Sequence, residues 1–510
     1  MADGCSLAHR LWHPAGDGPW PVLLMRQPYG RAIASTVTYA HPRWYASHGF
    51  AVLVQDVRGR GDSNGHFGGF AQEAADGDRT LLWLRQQPWC NGRIGTYGFS
   101  YQGLSQLLWG GDAPLPDAMA PAMAGLSERL HWASEGGAHW WALGVAWALQ
   151  LAAQGCRRRG DDHGWHRIRR SLDDGSFLQQ GAALLQELDP DGMGLGWLRN
   201  DAADSEGWRH HDPPQALWRQ PMLVIGGWYD PHLLGVLDLW RRCEAAGGRP
   251  VLRIGAWSHL HWQGGIDRLQ LAFFQRRLQG APGAAEAPAA LLQDLRSGRW
   301  LARSPRQGSG QRWGLASGGL AAVDAWEGRL ESSSGGSLEL VHDPWRPLPG
   351  RGGHLGLDAG PSQRADLDAR CDVACFNSAV LQRPLELLGR PVLSLMAAAD
   401  QPGFDLCVAL SVVETSGAVQ QLSTGVARFR GEGCRQLEPR QVRLQPLLAC
   451  LQPGERLRLS IGLAAWPQIA VNPGDGSLPM GPAGPQHRVI SVQLELAQAS
   501  LCMHAMVGAN

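Results

Sequence analysis

Lysine is missing from this 510-residue chain, in which arginine supplies every permanently basic side chain. A lysine general base and a lysine Schiff base are therefore excluded. The chain also lacks a net charge, because its 46 basic and 46 acidic side chains balance. Nothing in that balance favours binding to nucleic acid or to an anionic membrane, and we expect neither partner.

Long apolar runs are absent as well. The longest, about residues 140–149, is too short to cross a bilayer. The N-terminal segment has neither the basic nor the apolar region of a secretory signal. The ten cysteines are scattered from Cys5 to Cys502 without a CxxC pair, which argues against a structural zinc site. We therefore expect a protein of the reduced cytoplasm with no metal.

The first part of the chain, residues 1–123, alternates short apolar runs with helix-like segments. Residues 20–25 and 50–55 suit buried strands, whereas residues 76–87 carry leucines at helical spacing. The same alternation resumes over residues 214–280. This pattern predicts an α/β fold, with a mostly parallel sheet that is covered by helices on both faces.

Two other regions differ from this core. Residues 124–213 are rich in Trp, His and Arg and have helical patterning, which predicts a helical cap inserted over an active site. Residues 281–510 contain frequent Gly, Pro and Ser between short β-rich runs, such as 405–413 and 488–496. That composition predicts a C-terminal β-sandwich of the jelly-roll type.

The most informative residue is Ser100. The segment 93–103 resembles a buried strand that turns sharply into a helix, with Ser100 on the turn and glycines at Gly98 and Gly103. A nucleophile on such a turn projects its hydroxyl clear of the sheet edge. Small neighbours are needed there, because the serine backbone is strained and the adjoining helix packs close.

An acid and a base follow Ser100 in the chain. Asp230 ends the apolar run 222–229, and His259 follows the apolar run 251–258. A serine, then an acid, then a histidine, each just past a predicted strand, is the chain order of an α/β-hydrolase. These three residues are therefore the candidate catalytic triad.

Two alternatives stay open for the triad partners. His261 lies two residues beyond His259 and could serve as the base instead. Asp230 could cap the helix that is predicted to begin near Pro231, a role that does not exclude catalysis.

These motifs together resemble one acyl-hydrolase family, which includes cocaine esterase, glutaryl-type cephalosporin acylases, α-amino-acid ester hydrolases and X-prolyl dipeptidyl peptidases. The resemblance covers nearly the whole chain, and it implies an α/β-hydrolase core, a helical cap and a C-terminal jelly roll. The landmarks, in chain order, are RQPY at 26–29, QDVRGRGDSNG at 55–65, GFSYQG at 98–103, GGWYD at 226–230 and WSH at 257–259.

The resemblance also implies roles beyond the triad. The hydroxyl of Tyr29 and the backbone N–H of Tyr101 would form the oxyanion hole, and no cofactor would be required. One departure is Pro231-His232 after the acid, where the α-amino-acid ester hydrolases look as if they carry acidic residues. Candidates for the wall of the acyl pocket are tryptophans of the cap helix, namely Trp140, Trp141 and Trp147.

The sequence thus predicts a serine hydrolase that cleaves a small-molecule acyl ester, with amides as a further substrate class. Whether the protein forms a homodimer is left open. An X-prolyl dipeptidyl peptidase or an α-amino-acid ester hydrolase is the alternative within enzymes. Either would need carboxylates for a free amino group, and no acidic cluster lies beside the triad motifs. Such a site would have to be assembled from distant loops, with Glu128 and Glu135 of the cap among the candidates. A binding protein with a vestigial triad is the alternative of another class, which the complete set of triad and oxyanion residues disfavours.

Overall fold

A central sheet begins in the first 123 residues, and its strands are apolar because helices cover both faces. The structure is a computed structural model, and it describes residues 1–32, 39–262, 265–281 and 288–508. The predicted helix over 76–87 is present, but it begins three residues earlier and ends two residues earlier. The elements here are β1 (His9–Trp12), β2 (Trp20–Gln27), α1 (Pro42–Ala46), β3 (Ala51–Asp56), α2 (Glu73–Arg85), β4 (Cys90–Phe99), α3 (Tyr101–Ser105) and β5 (Ala118–Ala122).

The cap follows β5 and is mainly helical, as its patterning predicts. Its longest helix, α4, buries an alanine- and leucine-rich face against the two helices that follow it. A two-stranded hairpin precedes α4 and packs toward the C-terminal domain. The cap elements are β6 (Ser134–Glu135), β7 (Ala138–His139), α4 (Trp141–Arg159), α5 (Asp162–Asp174), α6 (Phe177–Leu188) and α7 (Met193–Arg199).

The core sheet then resumes and reaches nine strands in the order β1-β3-β2-β4-β5-β8-β9-β10-β11. Every neighbouring pair from β3 to β10 is parallel, and an antiparallel strand closes each edge. The elements added here are β8 (Leu223–Tyr229), α8 (Leu233–Ala245), β9 (Val251–Ser258), α9 (Ile266–Phe274), β10 (Ala290–Gln293) and β11 (Trp300–Leu301).

The domain boundary expected at residue 281 differs from the structure. Strands β10 and β11 lie beyond it but belong to the core sheet, because β10 pairs in parallel with β9. A short apolar strand has the same local pattern in either sheet, so the sequence does not reveal its partner. The hydrolase core therefore extends through Leu301.

The C-terminal domain is a jelly-roll-like β-structure, as predicted. Eleven strands form its sheet, and alternate residues point into the interior, as in β14. Most pairs are antiparallel, with β13 and β15 as a parallel pair. The elements are β12 (Arg312–Ala316), β13 (Gly328–Glu331), β14 (Ser337–His342), α10 (Ala365–Asp368), β15 (Val373–Ser378), β16 (Leu385–Ala399), β17 (Gly403–Val413), β18 (Val419–Arg430), β19 (Glu438–Arg443), β20 (Leu447–Leu451), β21 (Arg456–Gly462) and β22 (Ile490–His504).

Short turns of other helix types complete the described chain. They are the 3₁₀ turns Gly69–Gln72, Gln215–Arg219 and Glu432–Arg435, and the π-helical turns Arg129–Ala133 and Gln275–Gln279. Across the described ranges, none of the helices combines the length and the apolar character needed to cross a membrane.

Candidate active site

Ser100 occupies a strained turn between β4 and α3. Its backbone has φ 59° and ψ −127°, a left-handed φ that residues other than glycine rarely adopt. Such a conformation costs roughly 1–3 kcal/mol and persists only where the surrounding structure enforces it. The Ser100 N–H donates to the Ala122 carbonyl at 3.0 Å, and the Ser100 carbonyl accepts from Gly103 at 2.8 Å. The turn is therefore held from both sides.

The two flanking glycines are required by close packing. A Cβ at Gly98 would lie 2.4 Å from Cβ of Gln102, and a Cβ at Gly103 would lie 2.5 Å from the Ala122 carbonyl oxygen. Both distances are far below van der Waals contact. The tight approach of α3 to the sheet thus accounts for the glycine spacing seen in the sequence.

Asp230 and His259 meet at the carboxyl ends of adjacent parallel strands. Asp230 follows β8 and His259 follows β9, and His259 Nδ1 lies 2.8 Å from Asp230 Oδ1. The Asp230 side chain is fully buried, whereas that of His259 is 17% exposed. With Nδ1 held by the carboxylate, Nε2 is left to face the cavity that Ser100 also lines.

The alternatives for these two residues have less support from the geometry. Helix α8 begins at Leu233 with His232 at its N-cap position, so Asp230 does not cap it. His261 instead packs back on its own loop, where its N–H donates to Ser258 Oγ at 3.3 Å.

Tyr29 lies two residues after β2, where its phenol reaches the nucleophile. Its hydroxyl lines the same cavity as Ser100, and its oxygen accepts from the indole N–H of Trp147 at 3.0 Å. Burial raises the pKa of Tyr29, so the phenol stays protonated at neutral pH. A protonated phenol can donate to a developing oxyanion.

Tyr101 offers its backbone rather than its side chain. It is the first residue of α3, and the N–H groups of a first helical turn have no partner within the helix. Its ring is buried, stacks on Phe70, and places the hydroxyl 2.9 Å from Glu73 Oε1. The ring thus anchors α3 while the N–H is left beside Ser100.

A cavity of about 260 Å³ adjoins these groups. Its wall is largely apolar, and no carboxylate occurs among the described residues that line it. The lining residues are Gln27, Tyr29, Phe99, Ser100, Gln102, Leu143, Ala146, Trp147, Gln150, His259, Leu260 and Leu357.

Only one of the three cap tryptophans predicted for this wall is found there, namely Trp147. Trp141 is buried among the cap helices and donates its indole N–H to the Leu178 carbonyl at 3.0 Å. Trp140 precedes α4 and packs edge-on against His232 at 5.6 Å. Trp140 and Trp141 do not line this cavity, because Trp141 points to another helix face and Trp140 lies about 10 Å along the axis from Trp147.

The two cap carboxylates considered for a substrate amine are already bonded elsewhere. Glu128 Oε1 lies 3.0 Å from His211 Nε2, and its other oxygen accepts from Trp197 Nε1 at 2.8 Å. Glu135 Oε2 lies 2.6 Å from His354 Nε2. Neither glutamate lines the cavity beside Ser100.

His232 joins the triad pair in a compact group. Donor atoms of Asp230, His232 and His259 lie within 4.8 Å of one another, a spacing that a metal ion could use. Two of these residues are hydrogen-bonded to each other, and His232 Nδ1 lies 2.5 Å from the His131 carbonyl. Burial lowers the pKa of His232 to about 4, so it is neutral beside the base. Hydrogen bonds thus engage His259 Nδ1, Asp230 Oδ1 and His232 Nδ1, whereas Asp230 Oδ2 is buried without a partner among the described residues.

Sequence reasoning missed one contact to the acid. Gln445, from the C-terminal domain, donates its side-chain N–H to the Asp230 carbonyl at 2.7 Å. The two residues are 215 positions apart, and no local pattern marks Gln445. Leu357, also from that domain, lines the cavity. The jelly roll therefore completes the site.

Comparison with known proteins agrees with this architecture. Residues 3–261 match the X-Pro dipeptidyl-peptidase (S15) family, and residues 304–495 match the X-Pro dipeptidyl-peptidase C-terminal non-catalytic domain. The cocaine esterase of Rhodococcus sp. (strain MB1 Bresler) is 28% identical over 481 residues, which cover 84% of this chain and 82% of that protein.

Solved structures share the fold over nearly the whole chain. An aminopeptidase from the marine sediment archaeon Thaumarchaeota archaeon has a TM-score of 0.75 at 18% identity and covers 99% of this chain and 95% of its own. An α-amino acid ester hydrolase has a TM-score of 0.73 at 18% identity, with the same coverage. On these matches, the chain belongs to the X-Pro dipeptidyl-peptidase (S15) family, and it is a serine hydrolase.

Proposed function

We propose that this serine hydrolase is an acyl esterase that acts on neutral acyl groups through Ser100, His259 and Asp230. The observation that carries the proposal is the cavity beside Ser100, which is small, largely apolar and without a carboxylate among its described lining residues. Burial of an apolar acyl group in this cavity contributes about 25 cal/mol of favourable binding free energy per Å² of apolar surface.

In the proposed reaction, His259 takes the proton from Ser100 as Oγ attacks the ester carbonyl carbon. Asp230 holds the imidazole through Nδ1 and stabilises the imidazolium that forms. The Tyr29 hydroxyl and the Tyr101 N–H donate to the oxyanion of the tetrahedral intermediate. The alcohol leaves with the proton from His259, and an acyl-enzyme remains.

Hydrolysis of the acyl-enzyme repeats these steps with water. His259 removes a proton from the water as its oxygen attacks the acyl carbon, and Ser100 is then the leaving group. The same two donors stabilise the second oxyanion. No residue beyond this set is needed for the chemistry.

The described lining of the cavity carries no carboxylate, and this favours esterase activity over the peptidase activity after which the family is named. A substrate with a free α-amino group brings an ammonium ion into the site. Without a carboxylate partner, its lost hydration is not recovered, at a cost of several kcal/mol. The two cap candidates, Glu128 and Glu135, are engaged with histidines. Esters of neutral acids avoid this cost.

A serine-directed fluorophosphonate tests the proposal directly. We expect one label per chain, at Ser100, together with turnover of butyryl or phenylacetyl esters. Ser100→Ala should lose both, with turnover falling by about four to six orders of magnitude. Ser416→Ala, on an exposed loop, is the matched control. Labelling that survives in Ser100→Ala would overturn the nucleophile assignment, and a native protein that does not react would favour the vestigial binding protein.

A further inference from the structure

A second cavity, of about 590 Å³, lies where the cap hairpin, helix α8 and the jelly roll meet. It shares no lining residue with the cavity beside Ser100 among the described parts of the chain. A volume of several hundred Å³ is that of a small-molecule site rather than of a packing defect. The established chemistry of the protein does not use it.

The wall of this cavity carries more positive than negative charge. Five arginines and two acidic residues line it, and both acids are already paired. Glu135 is bonded to His354 at 2.6 Å, and Asp238 accepts from Arg242 Nε at 2.7 Å. Glu135 is therefore engaged by a histidine, and Asp238 is engaged by Arg242 and by Arg241, which is itself one of the five lining arginines.

Three of the lining arginines have no carboxylate within ion-pair distance in the described residues. They come from three separate elements, which are a π-helical turn of the cap, strand β16 and strand β19. Arg428, by contrast, is paired with Asp405 at 2.6 Å. The three arginines without such a partner are Arg129, Arg390 and Arg443.

Arg390 is the most constrained of the three. Its Nε donates to the Leu444 carbonyl at 3.0 Å, which fixes the guanidinium at the cavity wall. Burial lowers the pKa of Arg390 to about 10, and Glu135 offsets part of that effect whereas Arg443 adds to it. The side chain is still charged at neutral pH. The guanidinium is half-buried, and its neighbouring carboxylate, Glu135, is shared with His354, so a further anion at the cavity wall would stabilise it.

We propose that this cavity binds a small anion that carries carboxylate or phosphate groups, held by Arg129, Arg390 and Arg443. Guanidinium groups suit both chemistries, because their paired N–H groups match two oxygens of a carboxylate or a phosphate. A concave site with low-dielectric walls also concentrates the field of the three charges. The site does not depend on the proposed esterase reaction.

Calorimetric titration of the full-length protein tests the site, with inorganic phosphate and citrate as separate probes at constant ionic strength. We expect saturable binding of at least one probe at one site per chain. Phosphate binding without citrate binding would assign a phosphate-bearing ligand, and the reverse would assign a carboxylate. Saturable binding of neither probe would overturn the proposal.

Variants locate the binding. Arg443→Gln and Arg129→Gln should each raise the dissociation constant at least tenfold, as expected for the loss of a charge-assisted contact. These two are used because Arg390 is more deeply buried and its loss could also affect folding. Arg299→Gln removes an exposed arginine outside the cavity and is the matched control. Equal affinity in the native protein and in both cavity variants would contradict the assignment.

Discussion

Trp147 donates its indole N–H to the phenol oxygen of Tyr29 at 3.0 Å, and so joins the cap helix α4 to the candidate oxyanion hole. The phenol oxygen can accept this bond and still donate its own proton. Because the indole occupies the acceptor side, the O–H remains available to donate into the cavity that Ser100 also lines. The cap tryptophan therefore both lines the cavity and orients a donor.

The first prediction concerns Trp147→Phe, which keeps an aromatic ring and removes the N–H. Loss of one hydrogen bond of ordinary strength should lower kcat about 3- to 10-fold. Tyr29→Phe, which removes the donor itself, should lower kcat roughly 10²- to 10³-fold with little change in KM. Steady-state kinetics on a neutral ester measure both effects.

The double variant tests whether Trp147 acts through Tyr29. If it does, adding Trp147→Phe to Tyr29→Phe should lower kcat no further, because the oriented hydroxyl is already gone. A full additional loss in the double variant would mean that Trp147 acts independently. A change confined to KM would mean that the indole serves only as a wall for the acyl group.

The second prediction concerns the glycines of the nucleophile turn. Gly103→Ala forces a methyl group to within 2.5 Å of the Ala122 carbonyl oxygen, so α3 must shift. We expect a loss of about 1–3 kcal/mol of stability and at least a tenfold lower kcat. Gly144→Ala is the control, since that position on α4 is open and alanine favours helices. It should leave the melting temperature unchanged or slightly higher. Equal behaviour of the two variants would contradict the packing argument.

The candidate triad residues have local signatures in the sequence. Ser100 lies on a strand-turn-helix pattern with obligatory glycines, and Asp230 and His259 each end an apolar strand. Such signals need only neighbouring residues, and strands that run parallel bring their carboxyl ends to one edge of the sheet. The fold class, which rests on the same alternation of strands and helices, is confirmed.

The residues that the sequence did not predict depend on distant contacts. Strand β10 has no local mark that assigns it to the core sheet rather than to the jelly roll. Trp141 and Trp147 lie on one helix, yet only the packing of that helix decides which of them meets the cavity. Gln445 reaches Asp230 across the domain interface, which is visible only in three dimensions.

The third prediction concerns the C-terminal domain. Leu388, Leu448 and Met506 belong to the same buried apolar cluster as the strands of the hydrolase core. A fragment ending at residue 285 loses them together with β10, β11 and the Gln445 bond to Asp230. We expect it to be insoluble or inactive when expressed alone. A soluble fragment with full esterase turnover would show that the domain is dispensable.

The fourth prediction concerns acid stability. Burial lowers the pKa of His131, His139 and His232 to about 4 in each case, against an ordinary value of 6.5. In the unfolded chain these histidines are therefore protonated below about pH 6.5, whereas in the folded chain they stay neutral until about pH 4. Stability is fully present above pH 6.5 and is lost as the pH falls toward 4. At pH 5, each buried histidine should have lowered the free energy of unfolding by about 2 kcal/mol.

Melting temperatures between pH 7.5 and pH 4.5 measure this effect. His139→Gln should show a smaller fall than the native protein, since its side chain no longer titrates and an amide N–H can still reach the Trp197 carbonyl that His139 contacts. His163→Gln, at an exposed position, should follow the native curve. A His139→Gln curve that parallels the native one would show that this histidine does not control the acid sensitivity.

The last prediction concerns substrate charge and a way to change it. Native protein should hydrolyse methyl phenylacetate with a higher kcat/KM than the matching phenylglycine ester, whose ammonium finds no carboxylate in the cavity.

Gln150 is exposed at the rim and lines the cavity. Gln150→Glu places a carboxylate there with almost no change in volume. It should move the ratio of the two kcat/KM values by up to about fivefold toward the amine-bearing ester, which corresponds to an exposed ion pair of up to about 1 kcal/mol. Gln179→Glu on α6 adds the same charge away from the cavity and should leave the ratio unchanged. A native preference for the phenylglycine ester would mean that carboxylates reach the substrate from outside the cavity wall, and the neutral-acyl proposal would then be wrong.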